Sequence, residues 1–151
     1  GIRLALGTLD TFRTTVGAAA VGMGQAAYEA ALSYSRDRKA FGQPISDFQV
    51  NQFKLADMAV SLDAARLLNY RAAWLKDSGQ ETIIKEASFA KLFATEAASR
   101  IVNESLQIHG GIGLQKGNRI ERLYREIRAL TIYEGTSEIQ RQTIARQLLR
   151  E

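Results

Sequence analysis

Glu134 is the acid in this sequence whose neighbours could give it chemistry. It lies within Ile132-Tyr133-Glu134-Gly135-Thr136-Ser137-Glu138-Ile139-Gln140, between an aromatic and a glycine, just after apolar Leu130 and Ile132 and just before a helix start. A carboxylate on a tight turn among apolar neighbours is partly desolvated. That disfavours its charged form and brings its proton affinity toward the range of a general base near neutral pH. Gly135 can take backbone angles closed to other residues and leaves room for a ligand beside the main chain. Thr136 or Ser137 is a good N-cap, and Ser137 with Gln140 fits a capping box, so main-chain N–H groups at this helix mouth are expected to face whatever lies beside Glu134. The same residues also fit a plain helix-joining turn whose acid favours a helix N-terminus.

Three further clusters could bind a ligand. Asp10 and Arg13 lie three residues apart, on one face if the segment is helical, where they could hold a polar ligand or simply form a solvated ion pair. The stretch from Arg36 to Gln49 sets Arg36, Arg38 and Lys39 beside Phe41, Gly42 and Pro44, suiting a phosphate and an aromatic ring. A connector with Phe41 tucked into the core fits equally well. Gln107-Ile108-His109-Gly110-Gly111-Ile112-Gly113 bares main-chain amides. It follows a helix, whereas the dinucleotide fingerprint links a strand to one. His109 is the only histidine and cysteine is absent, so the expectation for His109 is a turn residue and no metal site is expected.

These residues need a frame, and the 151-residue length suits one domain with one core. A single proline, Pro44, permits long helices. The first is read from Ile2 to about Ser35, with Leu6, Leu9, Val16, Ala20, Met23, Ala27, Ala30 and Tyr34 at helical spacing. Gly17, Gly22 and Gly24 on it suggest close approach of another helix or a ligand. Ser46 with Gln49 reads as a capping box opening a second helix, about Asp47 to Lys76. That helix has two apolar stripes, Leu55, Met58, Leu62, Ala65, Leu68 and Ala72 against Phe53, Ala56, Val60, Ala64, Leu67 and Trp74. It is therefore expected to be covered on two sides, centrally in a bundle or by a second subunit. Gly79 is read as its C-terminal stop. A third helix, about Thr82 to Ile108, turns Ile83, Ala87, Ala90, Ala94, Ala97, Ile101 and Ile108 inward. Asn118 and Glu121 open a short helix rich in Arg122, Arg125 and Arg128, and a last one from Ser137 to Leu149 is expected to pack Ile139, Ile144 and Leu148 inward. Apolar runs fall far short of the roughly 20 residues that span a bilayer. The net charge of +4 comes from basic residues interleaved with acids, which argues against nucleic acid and suits a phosphorylated cofactor or a coenzyme A thioester.

Taken together, the chain resembles the C-terminal helical domain of the acyl-CoA dehydrogenases. The resemblance rests on five blocks in order: Leu9-Asp10 with Arg13; Arg38-Lys39-Ala40-Phe41-Gly42 with Phe48-Gln49; Leu55-Ala56-Asp57-Met58; Gln107-Ile108-His109-Gly110-Gly111; and Tyr133 through Gln140. It implies an all-α fold, an up-and-down four-helix bundle with short additional helices. It also implies that residues 1–151 are a single C-terminal domain of a larger flavoenzyme whose N-terminal helical and middle β-domains lie outside this chain, so that the fragment alone would be inactive.

The resemblance further implies roles. Glu134 would be the catalytic base that removes the α-proton of an acyl-CoA thioester while the β-hydrogen leaves as hydride to FAD, and its N–H would help polarise the thioester carbonyl. Tyr133 and Gly135 would line the acyl pocket; Asp10, Arg13 and Arg146 would contact the coenzyme A moiety. Arg38, Phe41, Phe48, Gln49, Gln107, Gly110 and Gly111 match segments that hold FAD across a subunit boundary, and Thr136 and Glu138 match positions that contact the flavin of their own subunit. Some family members carry the base near the position of Phe12, which cannot do that work here. Implied partners are an acyl-CoA substrate, an electron-transferring flavoprotein as acceptor, and further copies of the chain in a dimer or tetramer, in a bacterial cytoplasm or a mitochondrial matrix. Alternatives are an acyl-CoA oxidase-like member of the superfamily, or a helical module that binds FAD or a partner without turnover.

Overall fold

The computed structural model describes residues 2–150; the side chains at positions 2–7 and at position 10 fall outside that description, and with them the inward place read for Leu6 and the coenzyme A contact read for Asp10. The elements in chain order are α1 (Ile2–Asp37), β1 (Lys39–Ala40), β2 (Gln43–Pro44), a tight helical turn Ile45–Asp47, α2 (Gln49–Asp77), α3 (Ile84–His109), a second tight turn Gly110–Leu114, α4 (Arg119–Leu130) and α5 (Ser137–Leu148). The fold is the all-α bundle expected, with α1 to α4 as its members and α5 laid against α3.

Small side chains decide how close the central helices come. Ala20, Ala27 and Ala31 of α1 and Ala94 and Ala98 of α3 are buried, and Ser105 of α3 donates to the Ala27 carbonyl at 2.8 Å, a contact that only a close approach permits. Gly17 belongs to the same logic. A Cβ there would stand 2.3 Å from the Asn69 side-chain oxygen of α2. Gly24 meets Leu62 and Ala98 at ordinary contact distance, whereas Gly22 faces open space, so close approach explains two of the three helical glycines.

The bundle covers only one stripe of α2. Leu55, Met58, Leu62, Ala65 and Ala72 are buried, while Phe53, Val60, Leu67 and Trp74, seven residues apart, all stay more than half exposed. The helix ends as its sequence announces. Gly79, with a φ of 82°, lets its own N–H reach the Lys76 carbonyl and the Gln80 N–H reach that of Leu75, the double bond of a Schellman ending.

Two capping expectations change. Ser46 and Gln49 form no capping box: α2 starts at Gln49 behind Phe48 without a side-chain cap, and Ser46 points at Asp47. The reason is the hairpin before it. Phe41 and Gly42, at φ 53° and 86°, form a two-residue turn pairing Lys39 with Pro44 and Ala40 with Gln43, and the following tight turn takes up Ser46, leaving Gln49 as the first residue of α2. At α4 the box is half formed. Asn118 caps by accepting from the Ile120 N–H at 2.8 Å, while Glu121 pairs with Arg125. Asn118→Ala is expected to cost about 1 kcal/mol. That would lower the thermal midpoint by about 2–4 °C; an unchanged midpoint would show the cap to be idle.

Candidate active site

The segment joining α4 to α5 is closed on itself. The N–H groups of Ile132 and Tyr133 both reach the Ala129 carbonyl, and the Ser137 N–H reaches that of Thr131 at 3.1 Å. Between those ties the chain passes through two left-handed residues, Glu134 at φ 56° and Gly135 at 91°. Such angles are uncommon for a residue with a side chain. A side chain at Gly135 would be strained at that angle, and its Cβ would stand 2.7 Å from Nε2 of Gln140, which would have to move.

The result is a carboxylate set in a half-buried turn. Oε2 of Glu134 is buried with no hydrogen-bond partner among the described residues, and the Glu134 N–H takes no main-chain partner there. Tyr133, Ile132 and Ile139, each about half exposed, supply apolar surface beside it. A desolvated carboxylate oxygen without a donor suits a group that receives a proton from a bound substrate.

Thr136 caps α5, accepting from the Ile139 N–H. The Glu138 carboxyl, held below its usual range by its own main-chain N–H and then by the Thr136 hydroxyl, flanks the same helix mouth. The expected pairing of Ser137 with Gln140 is not what forms. Ser137 donates to Glu96 of α3, and Gln140 turns back to donate to the Glu134 and Gly135 carbonyls at 3.0 and 3.1 Å. The inward packing expected of Ile139 and Leu148 is likewise absent. Both are about half exposed, because α5 sits on α3 by its polar residues, with Ser137 and Gln140 buried and Ile144 half-buried.

Arg13 and Arg146, far apart in sequence, line one pocket with Leu9, Ile84, Thr143, Gln147 and Arg150. Arg38, Gly110 and Gly111 share another with Tyr34, Ile45, His109 and Ile112. His109 ends α3, buried and stacked on Tyr34 at 4.4 Å, with Nδ1 at 2.7 Å from the Ser105 carbonyl. Phe41 is tucked into nothing: it is 97% exposed at the hairpin tip, edge-on to Phe48 at 6.2 Å. Gln49 and Gln107 are exposed near these groups in sequence, and neither lines that pocket.

The residues read as cofactor contacts therefore fall into two sets. Thr136 and Glu138 flank the Glu134 turn, which rests on Lys91 of α3. Arg38, Gly110 and Gly111 gather at the C-terminal end of that helix, about 27 Å further along its axis at 1.5 Å per residue. Open space over Gly110 and Gly111, a guanidinium beside them and an uncovered aromatic ring together fit a phosphorylated, ring-bearing ligand such as FAD.

Lys91 and Gln140 were missed as site residues. For Lys91 the signal was in the sequence: it falls four residues after Ala87 and three before Ala94, on the inward face of α3, where a lysine needs a reason.

Comparison with known proteins adds an independent line. The family pattern described as "Acyl-CoA dehydrogenase, C-terminal domain" matches residues 1–149. The chain is 53% identical over 150 residues to "Probable acyl-CoA dehydrogenase YngJ" of Bacillus subtilis, covering 99% of this chain and 39% of that protein. It is 50% identical over 150 residues to the human mitochondrial short-chain specific acyl-CoA dehydrogenase, covering 99% and 36%. Its structure is similar to that of butyryl-CoA dehydrogenase from Megasphaera elsdenii, with a TM-score of 0.96 and 40% identity over 99% of this chain and 39% of that one. The chain thus spans about two fifths of the length of the proteins it matches.

Proposed function

The chain belongs to the acyl-CoA dehydrogenase family, and from that premise we propose that it is the C-terminal domain of an FAD-dependent acyl-CoA dehydrogenase in which Glu134 is the catalytic base. The observation that carries this reading is the buried Oε2 of Glu134, without a hydrogen-bond partner among the described residues, on a left-handed turn at the mouth of α5. In the proposed reaction the Glu134 carboxylate takes the α-proton of an acyl-CoA thioester. The electron pair of that C–H bond becomes the new C=C bond, and the β-hydrogen departs with its own pair as hydride. FAD, when bound, supplies the acceptor for that hydride. The Glu134 N–H stabilises negative charge gathering on the thioester oxygen, which makes the α-proton easier to remove. Tyr133 and Gly135 line the acyl end, and Arg13 and Arg146, with Asp10, hold the coenzyme A end.

Thr136 and Glu138 are proposed to face the flavin of the same subunit. Arg38, Phe41, Phe48, Gln49, Gln107, Gly110 and Gly111 are proposed to reach the FAD of a neighbouring subunit. The wide separation of the two sets along α3 supports that division. The partner copy then covers the uncovered stripe of α2, in a dimer or tetramer, and an electron-transferring flavoprotein is the proposed acceptor of the electrons.

Anaerobic addition of acyl-CoA to the full-length protein tests the reading: the oxidised flavin spectrum should bleach. A spectrum unmoved by short, medium and branched acyl-CoA substrates would overturn it. The 151-residue chain by itself should bind FAD only weakly and show no dehydrogenase turnover. Tight one-to-one FAD binding in isothermal titration would show that it holds more of the cofactor site than proposed.

A further inference from the structure

Beneath the Glu134 turn two buried side chains converge on consecutive peptide oxygens. Lys91 of α3 is fully buried, and its ammonium donates to the Gly135 carbonyl at 2.8 Å. Gln140 of α5, also fully buried, donates through Nε2 to that carbonyl and to the Glu134 carbonyl. Removing an ammonium from water is costly, and an apolar side chain of similar volume is often as good for stability alone. Burial pulls the Lys91 ammonium below the usual lysine range, with Glu96 the main opposing influence; Arg13, Glu134 and Glu138 are the other charges around it.

What the two donors achieve is conformational. In a trans peptide the C=O and N–H point opposite ways. Drawing the Glu134 and Gly135 carbonyls inward therefore turns the Gly135 and Thr136 N–H groups outward, and neither has a main-chain partner among the described residues. It also fixes Glu134 in a left-handed conformation that a residue with a side chain holds only when its surroundings over-determine it.

We propose that Lys91 and Gln140 are positioning residues that clamp the Glu134–Gly135 carbonyls and thereby aim the Glu134 carboxylate, acting on proton abstraction and not on substrate affinity. This rests on Glu134 being the base. The test uses the full-length holoenzyme and anaerobic flavin reduction by saturating acyl-CoA. Lys91→Met keeps an unbranched side chain one atom shorter and removes its donor. It should slow reduction by about tenfold to a hundredfold, the penalty of a base misplaced by about an ångström. The acyl-CoA dissociation constant should move by less than about threefold. Because the clamp acts through Glu134, the loss should vanish when Lys91→Met is placed in a Glu134→Gln background, a coupling that a general loss of stability would not produce.

Gln140→Met carries the same test, with a smaller loss, should Lys91→Met fail to fold. A folded variant of either kind that reduces its flavin at the wild-type rate, or one whose loss is the same in the Glu134→Gln background, overturns the clamp. Glu134→Gln that by itself leaves reduction intact overturns the base assignment instead, so the two failures are told apart.

Discussion

Glu134→Gln in the full-length enzyme is expected to slow flavin reduction by roughly 10²- to 10⁴-fold, the contribution of a general base, with acyl-CoA still binding. The amide matches the carboxylate in shape but cannot accept the α-proton. Binding should be spared, because the proposed hold on the thioester oxygen is the main-chain N–H of residue 134, which the substitution leaves in place. The turn is spared as well. It is held by carbonyls bonded to Lys91 and Gln140 and by the Ser137 tie to Thr131, none of which uses the Glu134 carboxylate. The thermal midpoint should therefore stay within about 3 °C of wild type. Stopped-flow bleaching of the oxidised flavin, run beside equilibrium binding of the acyl-CoA, reads both halves. A reduction rate within about threefold of wild type, well inside the general-base range, would remove Glu134 from the chemistry and send the search for a base to another domain.

The second large effect is on assembly. Phe53, Val60, Leu67 and Trp74 form one apolar stripe along α2 that the bundle leaves bare. Covering a single side chain of this kind is worth about 1.5–3 kcal/mol. Val60→Glu with Leu67→Glu loses both contributions and would in addition bury two unpaired carboxylates. Self-association should weaken by a factor of about 10² or more, while the helical circular dichroism of the monomer persists because neither residue packs inside the bundle. Sedimentation of wild type and variant over a concentration series checks this. A wild-type chain that stays monomeric at high concentration, or a variant that associates as well as wild type, would put the subunit contact elsewhere.

The legible parts of this protein were those set by local spacing. The three long helices followed from residues three and four apart, and the end of α2 and the start of α4 came within a residue or two because Gly79 and Asn118 act through bonds inside their own segments. The Glu134 turn was legible in part: Gly135 after an acid at a helix mouth marked a tight turn, but the left-handed angle of Glu134 itself was not in the spacing. What spacing could not supply was the partner of each polar group. The Ser46 cap failed because Ser46 falls inside the tight turn that follows the hairpin, and the expected inward face of α5 failed because Ser137 and Gln140 find partners in Glu96 and in the turn itself.

The sequence by itself determined that this chain is helical, that α2 has two apolar faces, and which carboxylate stands on a turn before the last helix, since each of these depends on residues within a few positions of one another. Tertiary structure alone decided that Lys91, 44 positions before Gly135 in the chain, lies beneath it and donates to its carbonyl. It also brought Arg13 and Arg146 to one pocket and set the Glu134 turn on Lys91, far along α3 from the pocket of Arg38, Gly110 and Gly111. Contacts of that kind depend on how closely the helices approach and at what rotation. Those are fixed by the fit of small residues such as Gly17, Ala27 and Ala98 across an interface, and a linear pattern of apolar positions holds no record of which residue each will face.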